Sequence, residues 1–179
     1  MGKIKSLDNI ILSPPCLLKD NDILDDFDCG NSTLNTWLKR YAMQNQLANS
    51  AKTRVVCNDN YVVGYYSLAV GSIEHEIASK RAKKGLARHP IPVMILARLA
   101  VDLEYQEKKI GSSLLKDALL RTLEASKYAG IRAIFVHAKD EKARNFYTHF
   151  DFEPSPIDTL KLMLLIKDIH HSVDELCVG

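Results

Sequence analysis

The chain is poor in the residues and patterns that mark several common protein classes. Cysteine is scarce: Cys16, Cys29, Cys57 and Cys177 are the four present in 179 residues. No two of them form a C-x-x-C pair, which argues against a zinc ribbon or a redox dithiol and leaves four reduced thiols. No His, Cys or carboxylate cluster has metal-ligand spacing, so no metal is expected. No apolar run approaches the ~18 to 20 residues of a membrane span. The opening Met1-Gly-Lys-Ile-Lys-Ser-Leu-Asp8 lacks the unbroken apolar stretch of a secretory signal. A cytoplasmic protein with no membrane partner is expected. Two nucleotide signatures are also missing. There is no G-x-x-x-x-G-K-[ST], and no G-x-G-x-x-G with an acidic residue about 20 positions on. Repeats and low-complexity segments are absent. With 46% apolar and 26% charged residues, the composition is that of an ordinary globular protein, and 1–179 is expected to form a single domain with one full-sized core.

What is present is the outline of an anion cradle. Leu96 to Val101 is apolar apart from Arg98, Asp102 to Lys109 is a mainly polar turn, and Gly111 lies where a helix opens. The first N–H groups of a helix lack intrahelical partners and sit at the positive end of its dipole, so they can hold a phosphate without a charged side chain. The net charge of +2 hides a second feature: Lys80, Arg81, Lys83, Lys84 and Arg88 crowd one segment, whereas Asp20, Asp22, Asp25, Asp26 and Asp28 crowd another. A basic run is ordinarily a solvated loop. Because this one precedes the strand that leads to the cradle, it could instead hold a further phosphate of the cradle's ligand, a nucleic-acid backbone, or both.

The periodicities predict an alternation of strand and helix. Asn9 to Leu12 reads as a short edge strand closed by Pro14 and Pro15. Apolar residues at Leu34, Trp37, Leu38, Tyr41 and Ala42 predict a helix from Asn31 or Ser32 to about Ala48, with Trp37 in the core. Arg54–Cys57 and Tyr61–Val70 flank Asn58-Asp59-Asn60 as a hairpin. Val93–Val101 is long and apolar enough for mid-sheet. The helix after Gly111 carries Leu115, Ala118, Leu119, Thr122 and Leu123 on one face and should end before Gly130 in the left-handed conformation. Ala133–Ala138 is a buried strand in which His137 is expected to be hydrogen-bonded core. Glu141–Phe150 is a helix with Ala143, Phe146, Tyr147 and Phe150 on one face, and Leu160–Ile166 is a last strand. The core spans about 9–166, and residues 168–179 read as a surface tail. Strand, helix, strand from Val93 to Ala138 predicts a right-handed parallel crossover. The fold class is therefore α/β, with a mixed central sheet flanked by helices.

Gln106-x-x-Lys109-x-Gly111 resembles the acyl-CoA pyrophosphate loop of GNAT acetyltransferases, [QR]-x-x-G-x-[GA], with Lys109 in place of the first glycine. Further blocks occur in order: Phe27-Asp-Cys-Gly-Asn31, Gly64-Tyr-Tyr-Ser-Leu68, Ile91-Pro-Val93, Leu96-Ala-Arg-Leu-Ala-Val-Asp102, Val136-His-Ala138 and Asn145-Phe-Tyr147. Together they are similar to the GNAT toxins of type II toxin-antitoxin pairs. The resemblance implies a single GNAT domain and acetyl-CoA as co-substrate. It also implies acetylation of the α-amino group of aminoacyl-tRNA, which stops translation. It further implies a cognate antitoxin with a DNA-binding domain, of the ribbon-helix-helix or a similar type, and a homodimer. The same resemblance places Tyr147 as the acid that protonates the CoA sulfur, and the backbone of Leu99, Ala100 and Val101 beside pantetheine. Gln106, Glu107, Lys108, Lys109, Ile110, Gly111, Ser112 and Ser113 would form the pyrophosphate cradle, with Asn145 near the CoA arm.

The residues suit that chemistry. Amide formation needs an unprotonated amine, a stabilised oxyanion and a proton for the departing thiolate. An α-amino group has a pKa of about 7.7 to 8.0 against about 10.4 for lysine, so a strong base is unnecessary near neutral pH. A phenol suits the donor role; the alternative for Tyr147 is packing with Phe146 and Phe150. Arg98 alternates with Leu99 and is expected on the opposite sheet face, either touching tRNA, together with Lys80, Arg81, Lys83, Lys84 and Arg88, or as a buried paired arginine. If the turn needs φ > 0 at Lys109, a non-glycine residue there costs about 1 to 2 kcal/mol, part of it recovered if the ammonium faces a phosphate. Two other readings remain. A polyamine or protein-lysine acetyltransferase fits less well, because a polyamine pocket should be acidic. A non-catalytic module binding nucleic acid or a partner is disfavoured by Tyr147 and Gly111.

Overall fold

The computed structural model describes residues 10–178, with side chains to residue 174. The leader at Met1–Asp8, Asn9 of the expected first strand, and the Cys177 thiol lie outside the described residues. Seven strands form one mixed sheet in the order β1-β2-β3-β4-β5-β7-β6. They are β1 (Cys16–Leu17), β2 (Lys52–Asn58), β3 (Tyr61–Ile73), β4 (Ile91–Val101), β5 (Ala133–His137), β6 (Glu153–Pro154) and β7 (Lys161–Leu165). The helices are α1 (Ser32–Arg40), α2 (Ala42–Leu47), α3 (Lys80–Lys83), α4 (Ile110–Ser126), α5 (Glu141–His149) and α6 (Ile169–Val178). The edge strand follows Pro14 and Pro15 instead of preceding them, and Leu12 makes only an isolated bridge to Asn58.

Local chemistry explains most boundaries. The Asn31 side chain accepts from the Leu34 N–H and caps α1. The hairpin between β2 and β3 turns at Asp59, whose φ is +53°. The one long helix expected from Asn31 to Ala48 breaks at Tyr41 into α1 and α2. Gly130 is not left-handed; α4 ends in a tight right-handed turn at Lys127.

The sheet separates two main cores. On one face α4 and α5 cover Met94, Leu96, Ile134, Val136 and Leu162 through Leu114, Leu115, Ala118, Leu119 and Tyr147. On the other, α1 covers Val55, Val62, Tyr65 and Ala100 through Trp37 and Leu38. The α4 helix is tied to the sheet by Asp117, which accepts from the Tyr66 hydroxyl at 2.6 Å and pairs with the Arg54 Nε at 3.1 Å.

The C-terminal segment corrects the expectation of a surface tail. Residues 169–178 form α6, with Ile169 and Ser172 fully buried and the Ser172 hydroxyl donating to the Phe150 carbonyl at 3.3 Å.

Two details of β4 prepare the site. It pairs with β5 in parallel only from Val93↔Ala133 to Ile95↔Phe135, so its last six residues run on without β5 beside them. The register with β3 also shifts, from Leu68↔Leu96 to Ser67↔Arg98. Ala97 is therefore an extra residue, a bulge that reverses which side chains face which core. Leu96 packs on the α4 side, and so do Leu99 and Val101, while Ala100 joins the α1 side.

Candidate active site

The cradle is built where β4 ends. Asp102 is buried; its carboxylate accepts from the Glu104 N–H and the Asp28 N–H, each at 2.9 Å. Leu103 N–H donates to the Asp28 carbonyl at 2.8 Å. Asp28 in turn accepts from the Gly30 N–H and the Asn35 side chain, which hold its carboxyl below the usual range. The Phe27–Asn31 block thus braces the strand end. Asp102, Asp28 and Asn35 are positioning residues that sequence reasoning missed; for Asp28 and Asp102 the signal was their place inside two of the quoted blocks.

From there the turn alternates in hand. Glu107 has φ +62° and Lys109 φ +61°, and Lys109 leads into α4. Alternation of this kind aims successive N–H groups into a concave nest that suits anions. The first α4 bond of this region runs from the Ser113 N–H to the Lys109 carbonyl at 3.0 Å. The N–H groups of Ile110, Gly111 and Ser112 precede it in the first turn and have no intrahelical acceptor. Gln106 does not point into the nest. Its amide donates to the Val101 carbonyl at 3.0 Å and so ties turn to strand.

Gly111 joins the cradle to α5. A Cβ there would meet Val101 at 3.8 Å and the Phe146 ring at 3.9 Å, which are ordinary contacts. Packing within the protein therefore does not require glycine here, and the missing side chain leaves the backbone bare for a ligand to approach closely. Val101, Gly111 and Phe146 thus meet at the mouth between the free end of β4 and α5, which follows β5. Tyr147 is next to Phe146, 6% exposed, with ring centroids 5.2 Å from Phe146 and 5.3 Å from Phe152. Burial pushes its phenol well above the usual value. Its hydroxyl has no hydrogen-bond partner among the described residues, so it is free to donate. Asn145 lies exposed on the outer side of α5.

Other expected site residues fall elsewhere. The basic segment is at the start of β4, and the cradle is at its end, roughly 30 Å away for an 11-residue strand. It therefore does not adjoin the cradle, which argues against its holding the 3′-phosphate of a CoA bound there. Arg81 is engaged by Glu153 and, at 2.8 Å, by Asp168. Lys80, Lys84 and Arg88 are exposed, and Lys83 is half-buried. Arg98 faces α1, opposite Leu99 as expected, with its guanidinium 4.1 Å from the centroid of the Trp37 ring. It is not the paired arginine of the alternative reading, since no carboxylate bonds it among the described residues. His137 corrects the expectation of a core histidine, because it ends β5 exposed and faces Asp158. The Cys57 thiol, raised to about 12 mainly by burial, is unsuited to nucleophilic work. Among the described residues no three His, Cys, Asp or Glu side chains gather, and no helix is long and apolar enough to cross a membrane.

A splayed mixed sheet with an N–H cradle between β4 and α4 defines an acyl-CoA N-acyltransferase. Residues 49–154 match the acetyltransferase (GNAT) domain family, and the chain belongs to that family. Within the family it is similar to toxins. It is 44% identical, over 156 residues covering 87% of this chain and 93% of the relative, to a tRNA-acetylating toxin of Mycobacterium tuberculosis (strain ATCC 25618 / H37Rv). The structure of AtaT complexed with acetyl-methionyl-tRNAfMet superposes with a TM-score of 0.82 at 28% identity, covering 90% of this chain and 98% of that one. The crystal structure of AtaTR bound with acetyl-CoA gives 0.77 at 28% identity, with 89% and 96% covered.

Proposed function

We propose that this chain is a toxin that moves the acetyl group of acetyl-CoA onto the α-amino group of an aminoacyl-tRNA, blocking its use in translation. The observation that carries this is the meeting of the N–H cradle, the free end of β4 and the α5 segment Phe146-Tyr147 at one mouth. The acceptor follows from the 44% identical relative and from the AtaT complex with acetylated tRNA.

Acetyl-CoA supplies the activated acyl group. Ile110, Gly111 and Ser112 offer N–H groups to its diphosphate, with Glu107 and Lys109 holding the nest open and Ser113 and Lys108 at its rim. Leu99, Ala100 and Val101 present backbone along the strand that β5 leaves uncovered. Tyr147 keeps its proton, because burial disfavours the phenolate, and gives it to the departing thiolate. An α-amine is substantially neutral near pH 7, so the residues need only exclude water and orient it.

By the same kinship, an antitoxin with a DNA-binding domain, of ribbon-helix-helix or similar type, holds the toxin inactive in the cytoplasm, and the toxin acts as a homodimer. Size-exclusion chromatography with light scattering reads the oligomeric state. The function is tested by incubating charged tRNA pools with acetyl-CoA and the protein, then identifying N-acetylated aminoacyl-tRNA by mass spectrometry. One or a few acetylated species are expected, and an unmodified pool overturns the proposal.

A further inference from the structure

The cradle lies on the α4 and α5 side of β4, and an acceptor that reaches the acyl group from the opposite side of the sheet arrives beside α1. Arg98 stands there because of the bulge. Without the extra Ala97, Arg98 would share Leu96's face and point towards α4; with it, Arg98 crosses to the α1 side one residue before Leu99.

The guanidinium rests on a rigid support. Trp37, 8% exposed, stacks on Tyr65 at 6.0 Å with an interplanar angle of 12°, and the Tyr65 hydroxyl donates to the Leu34 carbonyl at 2.9 Å. Arg98 covers the Trp37 ring, adding a cation–π contact. Arg54, Arg81, Arg132 and Arg144 each bond a carboxylate or a backbone carbonyl. Arg98 bonds neither among the described residues, although it is partly withdrawn from water. A half-buried charge without a partner is costly, and a flat fork of five donors matches a phosphate. Beside it, Thr33 and Trp37 of α1 and Tyr41 at its C-terminal end follow one another at four-residue spacing and line a shallow cavity of about 300 Å³. Hydroxyls and a half-exposed aromatic ring there suit a ribose and an unstacked base.

We propose, on the footing that the acceptor is an aminoacyl-tRNA, that the Arg98–Trp37 shelf grips the phosphate of the RNA's 3′-terminal nucleotide and so delivers the α-amine to the gap beside Leu99. Arg98 is then a positioning residue for the RNA. It has no part in holding acetyl-CoA.

The test compares two acceptors: the aminoacyl-tRNA that the wild type acetylates, and the ethyl ester of the same amino acid, which lacks the phosphate. Arg98→Gln keeps most of the stem over Trp37 and removes the charge. It should raise KM for the aminoacyl-tRNA at least tenfold with kcat nearly unchanged, and lower the salt slope of RNA binding by about 0.7, the share of one single-strand phosphate. Acetyl-CoA affinity and turnover of the ester should stay at wild-type values. Equal loss on both acceptors, or an unchanged KM and salt slope on the RNA, overturns the proposal. Should Arg98→Gln fail to fold, Arg98→Lys carries the test: the charge stays and the fork goes, and a smaller KM increase confined to the RNA is expected, with equal loss on both acceptors again overturning it. A wild type that acetylates no aminoacyl-tRNA defeats the proposed function itself, and that outcome is distinct from all of these.

Discussion

Tyr147 is buried, packed against two rings and without a hydrogen-bond partner among the described residues. A phenol in that state resists ionisation, so the fraction carrying the proton stays near one through neutral and mildly alkaline pH. The acid must be protonated to act, and its pKa is raised. Activity should therefore climb with pH as the amine loses its proton near about pH 7.7 to 8.0, and show no decline from Tyr147 until above about pH 10. A pH profile of kcat/KM checks this. Tyr147→Phe keeps the packing and deletes only the hydroxyl. Turnover should fall by roughly 10²- to 10⁴-fold while acetyl-CoA affinity, read by calorimetry, stays the same. Unchanged single-turnover transfer would remove Tyr147 from the chemistry. At this scale the sequence marked Tyr147 and Gly111 as candidates, and the alternation of Arg98 with Leu99 that it predicted is present. It did not show why Arg98 lies over Trp37, because a one-residue bulge has no signature in Leu96-Ala-Arg-Leu-Ala-Val.

Elements were legible where one period ran long enough. The faces of α4 and α5, the β2–β3 hairpin and the parallel β4–α4–β5 crossover all follow from apolar spacing, and all are present. The α6 helix was not legible: its buried face includes Ser172, and a serine reads as solvent-facing unless its carbonyl partner, here Phe150, is known. Nor was the hand of the cradle turn, since Glu107 and Lys109 are ordinary as letters and become informative only at φ near +60°. That conformation makes a prediction about the turn. A left-handed non-glycine residue costs about 1 to 2 kcal/mol, so Lys109→Gly should stabilise the protein by about 1 kcal/mol, raising Tm by about 2 to 4 °C for a chain of this length. The backbone nest survives the change, so acetyl-CoA should still bind. Gly111→Asp places a carboxylate in the same nest and should abolish binding. Calorimetry with CoA on both variants separates backbone from side chain: wild-type affinity in Gly111→Asp would rule the cradle out as the diphosphate site.

Across the whole molecule, β4 sets two groups of residues apart, with Lys80–Arg88 at its start and the cradle at its end. Sequence proximity suggested that the basic run and the cradle were neighbours; the length of the extended strand between them makes them distant. A CoA molecule in the cradle has no access to the basic run, whereas an acceptor RNA is long enough to run along the surface from one to the other. With an aminoacyl-tRNA as acceptor, the cations of this segment are expected to meet RNA phosphates remote from the acetylated end. Arg81 is left out of the test because Glu153 and Asp168 engage it, so its loss would confound binding with local stability. Replacing Lys80, Lys83, Lys84 and Arg88 together by Ala should weaken tRNA binding and reduce its salt slope by about 0.7 to 0.9 for each phosphate no longer neutralised. Acetyl-CoA affinity and turnover of an amino-acid ester should not change. The two ends should also add: combined with Arg98→Gln, the fold-losses in tRNA affinity should multiply, since sites this far apart share no partner. A tRNA affinity and salt slope left at wild-type values by the fourfold replacement would make the segment a solvated loop and confine RNA recognition to the α1 face.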